Sequence, residues 1–287
     1  MTETALAVRP PHLPFMSGAP DFVVGLRPIP QSAWISPDPE AASLSSKRAL
    51  LSTRRAEVYA AASDGGAYNL ELEVEHMVAS ERPDSAPLDD ASPLVRAASL
   101  TSDDLVVMAR ADTSWRAVSL VLCSPTFFSA ADAIGKDTIG VHAPVPDRLG
   151  PGGAQALGAR IARVFEGLRP EHVLERFNWT VQAGPERFTP DGAPLRARAA
   201  ATPEEDALDV VRLRVERQTI RRVPNADAVL FTIRISLDPL RTVFQSEGAR
   251  DAFAVAWRDA PEHVRAYKKW APYERLVAAA LKDSGAN

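Results

Sequence analysis

The chain has 287 residues, of which 46% are hydrophobic and 24% charged, and its formal net charge is −4 at pH 7. It contains no basic tract of the nucleic-acid type, no apolar run long enough to cross a membrane and no signal-peptide pattern at its N-terminus. We therefore expect a cytoplasmic protein with neither a nucleic-acid nor a membrane partner. The single cysteine, Cys123, excludes an internal disulfide and an iron–sulfur cluster or zinc knuckle built by this chain alone.

The order of the predicted elements indicates an α+β fold. Residues 1–40 are rich in proline and are predicted to form an extended N-terminal arm. Hydrophobic periodicity predicts helices over 45–63 and 152–168, and leaves 68–80 open between helix and strand. Strands are predicted over 103–110, 115–125, 176–182, 209–223 and 228–237, with polar loops at 82–93 and 184–206. The tail, 245–283, is predicted to form helices broken at Pro261 and Pro272.

The last two strands give the clearest hairpin signal, because the turn sequence Pro-Asn-Ala-Asp (224–227) joins them. Three consecutive strands after a long helix favour one antiparallel sheet, with a pocket between one sheet face and the preceding helix. The corresponding division of the chain is an arm (1–40), a central domain (41–244) and C-terminal helices packed on it (245–287).

Alternation along strand 209–223 separates its charged residues into two faces. Arg217 and Thr219 share a face with Leu213 and Val215, while Glu216 points to the other face. An arginine on the more apolar face needs a partner, because burying an isolated charge is costly. That partner is either an internal carboxylate or a bound anion or polar ligand.

Two aromatic residues are candidates for a core or for a pocket wall. Trp179 shares a strand face with Phe177 and Val181, and Phe231 lies on a continuous apolar strand face. A position in the core is the simpler interpretation of both.

His142, in the stretch IGVHAPVP (139–146), has the most constrained surroundings of the five histidines, since prolines follow at 144 and 146. A neutral imidazole held in this way is able to ligate a metal or haem iron, and a purely structural histidine is the alternative. No second histidine lies at chelating distance along the chain, so iron here would need a porphyrin for its other nitrogens. Dinucleotide, Walker A, zinc-protease and nucleophile-elbow motifs do not occur.

Several motifs together resemble the alpha subunit of haem-dependent oxidative N-demethylase and its relatives. They are GLRPIPQSAW (25–34), IGKDTIGVHAPVP (134–146), RFNW (176–179), VERQTIRRVP (215–224) and AVLFTIRISLDPL (228–240). The resemblance implies a PAS-like haem domain that binds haem b and oxidises a small secondary amine with O2. It also implies a reductase partner, because the flavin and 2Fe–2S cofactors of such systems belong to partner subunits.

The resemblance assigns roles to individual residues. His142 would be the haem ligand, and Arg217 the cation that polarises O2 or holds substrate or a propionate, with Thr219 as a nearby donor. Trp179 and Phe231 would form walls of the pocket. Glu216 would bind the ammonium group of an amine only if a bulge turned it inward, and the same condition applies to Asn178 as a cofactor-binding residue.

Two other functions are compatible with the same residues. One is a haem PAS protein that senses gas or redox state without turnover, and the other is a haem-free PAS-like ligand-binding module. The loop 184–206 and the Phe127-Phe128 pair depart from the pattern of the relatives, so the amine remains open.

Overall fold

The computed structural model of the chain describes residues 10–21, 25–35, 41–63, 66–112, 114–138, 140 and 153–282. The strands are β1 (Arg27–Ile29), β2 (Tyr59–Ala61), β3 (Asp104–Ala111), β4 (Ser114–Val121), β5 (Val173–Ala183), β6 (Val211–Arg222) and β7 (Ala228–Pro239). Among the described residues they form one antiparallel sheet in the order β1-β5-β6-β7-β3-β4-β2. The predicted α+β class with a single antiparallel sheet is confirmed.

Helices flank this sheet along the whole chain. The α-helices are α1 (Ala41–Thr53), α2 (Arg55–Val58), α3 (Ala67–Ser80), α4 (Pro93–Ala98), α5 (Ala130–Ala133), α6 (Gly153–Gly167), α7 (Ala193–Ala201), α8 (Ala207–Val210), α9 (Leu240–Val243), α10 (Ala249–Arg258), α11 (Glu262–Tyr267) and α12 (Glu274–Lys282). Short 3-10 helices occupy Pro14–Ser17, Gln31–Ala33, Glu204–Asp206 and Ala271–Tyr273. No helix in the described ranges is long and apolar enough to cross a membrane.

The β6–β7 hairpin is one of the two longest pairings of the sheet, and it matches the prediction from the turn sequence. Its register runs from Arg212 opposite Pro239 to Arg222 opposite Val229. Asn225 in the turn has a φ of 57°, a left-handed conformation that asparagine tolerates better than most residues. The hairpin therefore fixes which side chains of these two strands share a face.

Four sequence-based assignments need refinement. The helix predicted over 45–63 ends before Tyr59–Ala61, which form the strand β2. The ambiguous stretch 68–80 is helical, as α3. The predicted polar loop 184–206 contains α7, whose alanine-rich sequence favours a helix and which buries Leu195 and Ala199. Part of the predicted extended arm is built into the sheet, because β1 pairs with β5.

The two faces of the sheet carry different layers. On one face, apolar side chains of α3 and α4 pack on β3 and β7, and α10 and α12 pack on β5 and β6. The other face carries α5 and α6, with Phe165 against Trp115 and Ile220. The second face is the one that encloses a cavity.

Candidate functional site

A cavity of about 380 Å³ lies between the sheet and α6. Strand alternation points one set of side chains from β3, β6 and β7 into it, and α6 supplies the facing wall. Its apolar lining residues are Val106, Met108, Leu122, Leu157, Ile161, Val164, Phe165, Ile220, Phe231 and Ile233. Such walls bind an apolar group and keep water away from it.

Polar side chains from β5, β6 and the C-terminal end of α11 line part of the same cavity. They are Arg176, Asn178, Thr180, Glu216, Gln218, Tyr267 and Lys268. Asn178 pairs with Glu216 across the two strands, and Arg176 pairs with Gln218. The sheet register thus places one carboxylate beside two amides and one cation, and the end of α11 adds Lys268 as a second cation.

Glu216 is held by neutral donors. Its Oε1 accepts a hydrogen bond from Thr126 Oγ1 at 3.1 Å. Its Oε2 accepts from Asn178 Nδ2 at 3.2 Å and from Gln218 Nε2 at 3.0 Å. These bonds orient the carboxylate without neutralising its charge, so Glu216 presents a fixed negative group to the cavity.

Lys268 is the first of the two cations beside Glu216. Its Nζ donates to Asn178 Oδ1 at 2.7 Å and to the carbonyl of Trp179 at 2.8 Å. Burial lowers the pKa of Lys268 to about 8, against the attraction of Glu216, which raises it. Asn178 therefore bridges the ammonium and the carboxylate through its two amide ends.

Arg176 is the second cation. Its Nε is buried without a hydrogen-bond partner. Burial lowers the pKa of Arg176, and the charge of Glu216 partly opposes that shift. A guanidinium with donors to spare is typical of a site that receives a carboxylate or another anion.

Asp104 is a buried carboxylate in another part of the lining. It accepts hydrogen bonds from the backbone N–H groups of Cys123 and Ser124, both at 2.8 Å. Burial raises the pKa of Asp104 to about 6, although Lys47 and these two donors pull it the other way.

The prediction that the face of Arg217 lines the pocket is wrong. Arg217 lies on the opposite face, where its Nε donates to Glu175 Oε1 at 2.6 Å. Its two terminal nitrogens donate to the carbonyls of Trp34 and Ala33, at 2.8 and 2.6 Å. The sequence left open whether Arg217 pairs with an internal carboxylate or with a ligand. Its partner is an internal carboxylate, that of Glu175. The more apolar face of β6 packs against the core, and the polar face meets the cavity.

Thr219 lies on the same packed face of β6 as Arg217. It is fully buried, and its hydroxyl shares a 2.6 Å hydrogen bond with that of Thr232 on β7. Glu216 and Asn178 consequently need no bulge to face the cavity, since ordinary alternation already directs them there.

The two aromatic candidates, Phe231 and Trp179, also lie on opposite faces of the sheet. Phe231 lines the cavity, as the resemblance implied. Trp179 does not, because it packs in the core against Phe15, Phe253 and Trp270, with ring centroids 5.3 to 6.0 Å away. The simpler interpretation of Trp179 as a core residue is the one that the structure supports.

His142 lies outside the described residues. Thr138 and Gly140, shortly before it in the sequence, both line the cavity. None of the histidines in the described part of the chain does so. Within those residues there is also no group of three or more His, Cys, Asp or Glu side chains able to hold a metal ion.

Four cavity residues were missed from the sequence: Arg176, Asp104, Tyr267 and Lys268. Alternation in RFNW places Arg176 on the same face as Asn178, so that signal was present. Lys268 and Tyr267 come from a segment far along the chain, and only the tertiary fold brings them to β5.

One comparison with known proteins identifies a family. The family model of the haem-dependent oxidative N-demethylase, alpha subunit-like, matches residues 26–278. A search of curated proteins gave no match. The matched region includes every cavity residue described above.

Proposed function

The chain belongs to the haem-dependent oxidative N-demethylase, alpha subunit-like, family, and from this premise we propose that it is a haem-dependent enzyme that oxidises a small secondary amine with O2. The products are a primary amine and formaldehyde. Electrons come from a reductase partner whose subunits carry the flavin and the 2Fe–2S cluster. The observation that carries the proposal is a cavity with apolar walls in which one oriented carboxylate, Glu216, is exposed to a ligand.

The lining of the cavity fits haem b in its chemistry. A porphyrin needs apolar walls on both sides, and the sheet and α6 supply them. Its propionates need cations near solvent, and the exposed side chains of Lys136 and Lys269 belong to the same lining. When bound, haem supplies the activation of O2 that no side chain of the chain provides.

We propose His142 as the haem ligand. Only Val141 separates it in sequence from Gly140, a cavity-lining residue. An imidazole is also a common protein ligand of haem iron.

Glu216 and the side chains around it bind and orient the amine substrate. The carboxylate accepts hydrogen bonds from the protonated amine, and Asn178 and Gln218 keep it in one orientation. Phe231, Ile233 and Phe165 exclude water from the N-methyl group. A PAS-like fold is part of the same proposal.

The test is an absorption spectrum of the purified protein after haem is supplied. We expect a strong Soret band in the wild type and its loss in His142→Ala. The exposed His172 provides a matched control, since His172→Ala should keep the band. Dimethylamine is then added, and a shift of the band, followed by formaldehyde release under reductant and O2, supports the enzyme.

Other results would contradict specific parts of the proposal. A His142→Ala protein with full haem and an unchanged spectrum would remove the ligand assignment. A Soret band that no secondary amine shifts would favour a sensor. A protein that takes up no haem would leave a ligand-binding module.

A further inference from the structure

Arg176 differs from Lys268 and Lys269, two other cations of the cavity, in having no partner among the described residues. Lys268 donates to two oxygens, and the ammonium of Lys269 lies 5.6 Å from the ring centroid of Phe127. Arg176 forms no hydrogen bond or ion pair with any residue in the described ranges, and its Nε is buried. A guanidinium has five donors in a planar fork, so this side chain is available for a bidentate acceptor.

The charges around Arg176 predict the sign of that acceptor. The cluster contains one carboxylate, Glu216, and two cations, Arg176 and Lys268. A simple dialkylammonium ion bound at Glu216 would add a third positive charge to a partly buried site. Since like charges in a poorly solvated site repel strongly, a ligand that also brings a negative group is favoured.

The spacing of the two side chains suits a small zwitterion. Arg176 pairs with Gln218, so Glu216 is its diagonal neighbour on β6. Diagonal neighbours in a sheet have Cα atoms roughly 7–8 Å apart. An α-amino acid holds its ammonium and carboxylate on one carbon, which suits two oppositely charged side chains that line one cavity from neighbouring strands.

We propose that the substrate is an N-methylated amino acid, whose ammonium binds Glu216 and whose carboxylate binds Arg176. This inference rests on the function proposed above and narrows its substrate class. A haem propionate is the other source of a carboxylate. Arg176 is less suited to it than the exposed Lys136 and Lys269, because it lies deeper and beside the amine-binding carboxylate.

The experiment compares two ligands that differ only in the negative group. Haem-loaded protein is titrated calorimetrically with N-methylglycine and with N-ethylmethylamine, in which a methyl group replaces the carboxylate. We expect the wild type to bind N-methylglycine about 10- to 100-fold more tightly, the range of a charge-assisted hydrogen bond. Arg176→Gln should abolish that preference and leave the affinity for N-ethylmethylamine unchanged or higher.

Two further variants control for indirect effects. Arg176→Lys keeps the charge without the fork and should retain part of the preference. Arg110→Gln removes an arginine that pairs with Glu166 outside the cavity lining, and it should behave as the wild type.

Three outcomes would overturn the inference. Binding of N-ethylmethylamine without a preference for N-methylglycine would contradict it and leave the proposed N-demethylase function in place. Loss of haem from Arg176→Gln, with equal effects on both ligands, would assign Arg176 to a propionate. If no haem is taken up, the same titration on haem-free protein still tests the site, and absence of N-methylglycine binding would contradict it.

Discussion

Glu216 and Arg217 are adjacent in the sequence, yet they lie on opposite faces of β6 and have opposite surroundings. Arg217, on the packed face, is 5% exposed and meets a carboxylate and two carbonyls. Glu216, on the cavity face, meets only neutral donors. Arg176, on the same face of the sheet as Glu216, has no hydrogen-bonded partner among the described residues.

The difference in hydrogen bonding distinguishes a charge with a structural role, such as that of Arg217, from a charge that is available to a ligand, such as that of Glu216. On the packed face the protein itself completes the hydrogen bonds of Arg217, so this guanidinium has no donor left for a ligand. On the cavity face the charges are oriented but not neutralised. Burial and charge alone would have made Arg217 the first candidate for ligand binding. Because its hydrogen bonds are already made within the protein, Arg217 is not part of the site.

The largest expected effect on stability comes from breaking the pair on the packed face. Glu175→Gln leaves the Arg217 guanidinium buried beside a neutral amide, and this should lower the free energy of unfolding by about 3–5 kcal/mol. Urea denaturation followed by circular dichroism measures the loss.

Two related variants check this explanation. Arg27 also pairs with Glu175, but its side chain is 67% exposed, so Arg27→Gln should cost only about 0–1 kcal/mol. Glu175→Gln combined with Arg217→Met should recover part of the loss, because no unpaired charge remains. Equal losses in Glu175→Gln and Arg27→Gln would contradict the explanation that the buried charge of Arg217 causes the larger loss.

The cavity face should respond to pH through Lys268. The folded protein releases this proton near pH 8, whereas the unfolded chain keeps it to about 10.5. The folded state therefore gains stability as pH rises through this interval, by about 2–3 kcal/mol relative to Lys268→Met. Unfolding free energies of both proteins at pH values below and above this window measure the gain. Parallel pH curves would contradict the lowered pKa.

Much of the fold could be predicted from the sequence, because local signals determine it. The β6–β7 hairpin follows from a turn sequence between two apolar alternations, and α6 follows from apolar residues at helical spacing. The helix α7 was missed because a polar, arginine-rich composition suggested a loop while its alanines favour a helix.

The site was predicted less well, and alternation explains why. The pattern correctly divided Glu216 from Arg217, but it does not say which face meets a cavity and which meets the core. That depends on where α3, α4 and the C-terminal helices pack. The position of Lys268 beside Asn178 is a tertiary contact between residues 90 positions apart, for which a single sequence has no signal.

Glu216→Gln should change ligand binding far more than folding. The amide keeps the size of the side chain and one carbonyl acceptor, so the free energy of unfolding should change by less than about 1 kcal/mol. Affinity for a protonated secondary amine should fall about 10- to 100-fold, since the charge-assisted bond is lost. Calorimetric titration of both proteins measures this ratio. Unchanged amine affinity would remove Glu216 from the proposed site.

The smallest effect is expected at Thr219, on the packed face. Thr219→Val removes one partner of the 2.6 Å hydrogen bond and leaves the Thr232 hydroxyl buried without it, at a cost of about 1–2 kcal/mol. Thr219→Val combined with Thr232→Val should recover most of that cost, because both polar groups are then gone. Amine affinity should be the same in all three proteins, since neither hydroxyl lines the cavity. A loss of amine affinity in Thr219→Val at unchanged stability would instead indicate that this face binds the ligand. It would then support the role that the sequence suggested for Arg217.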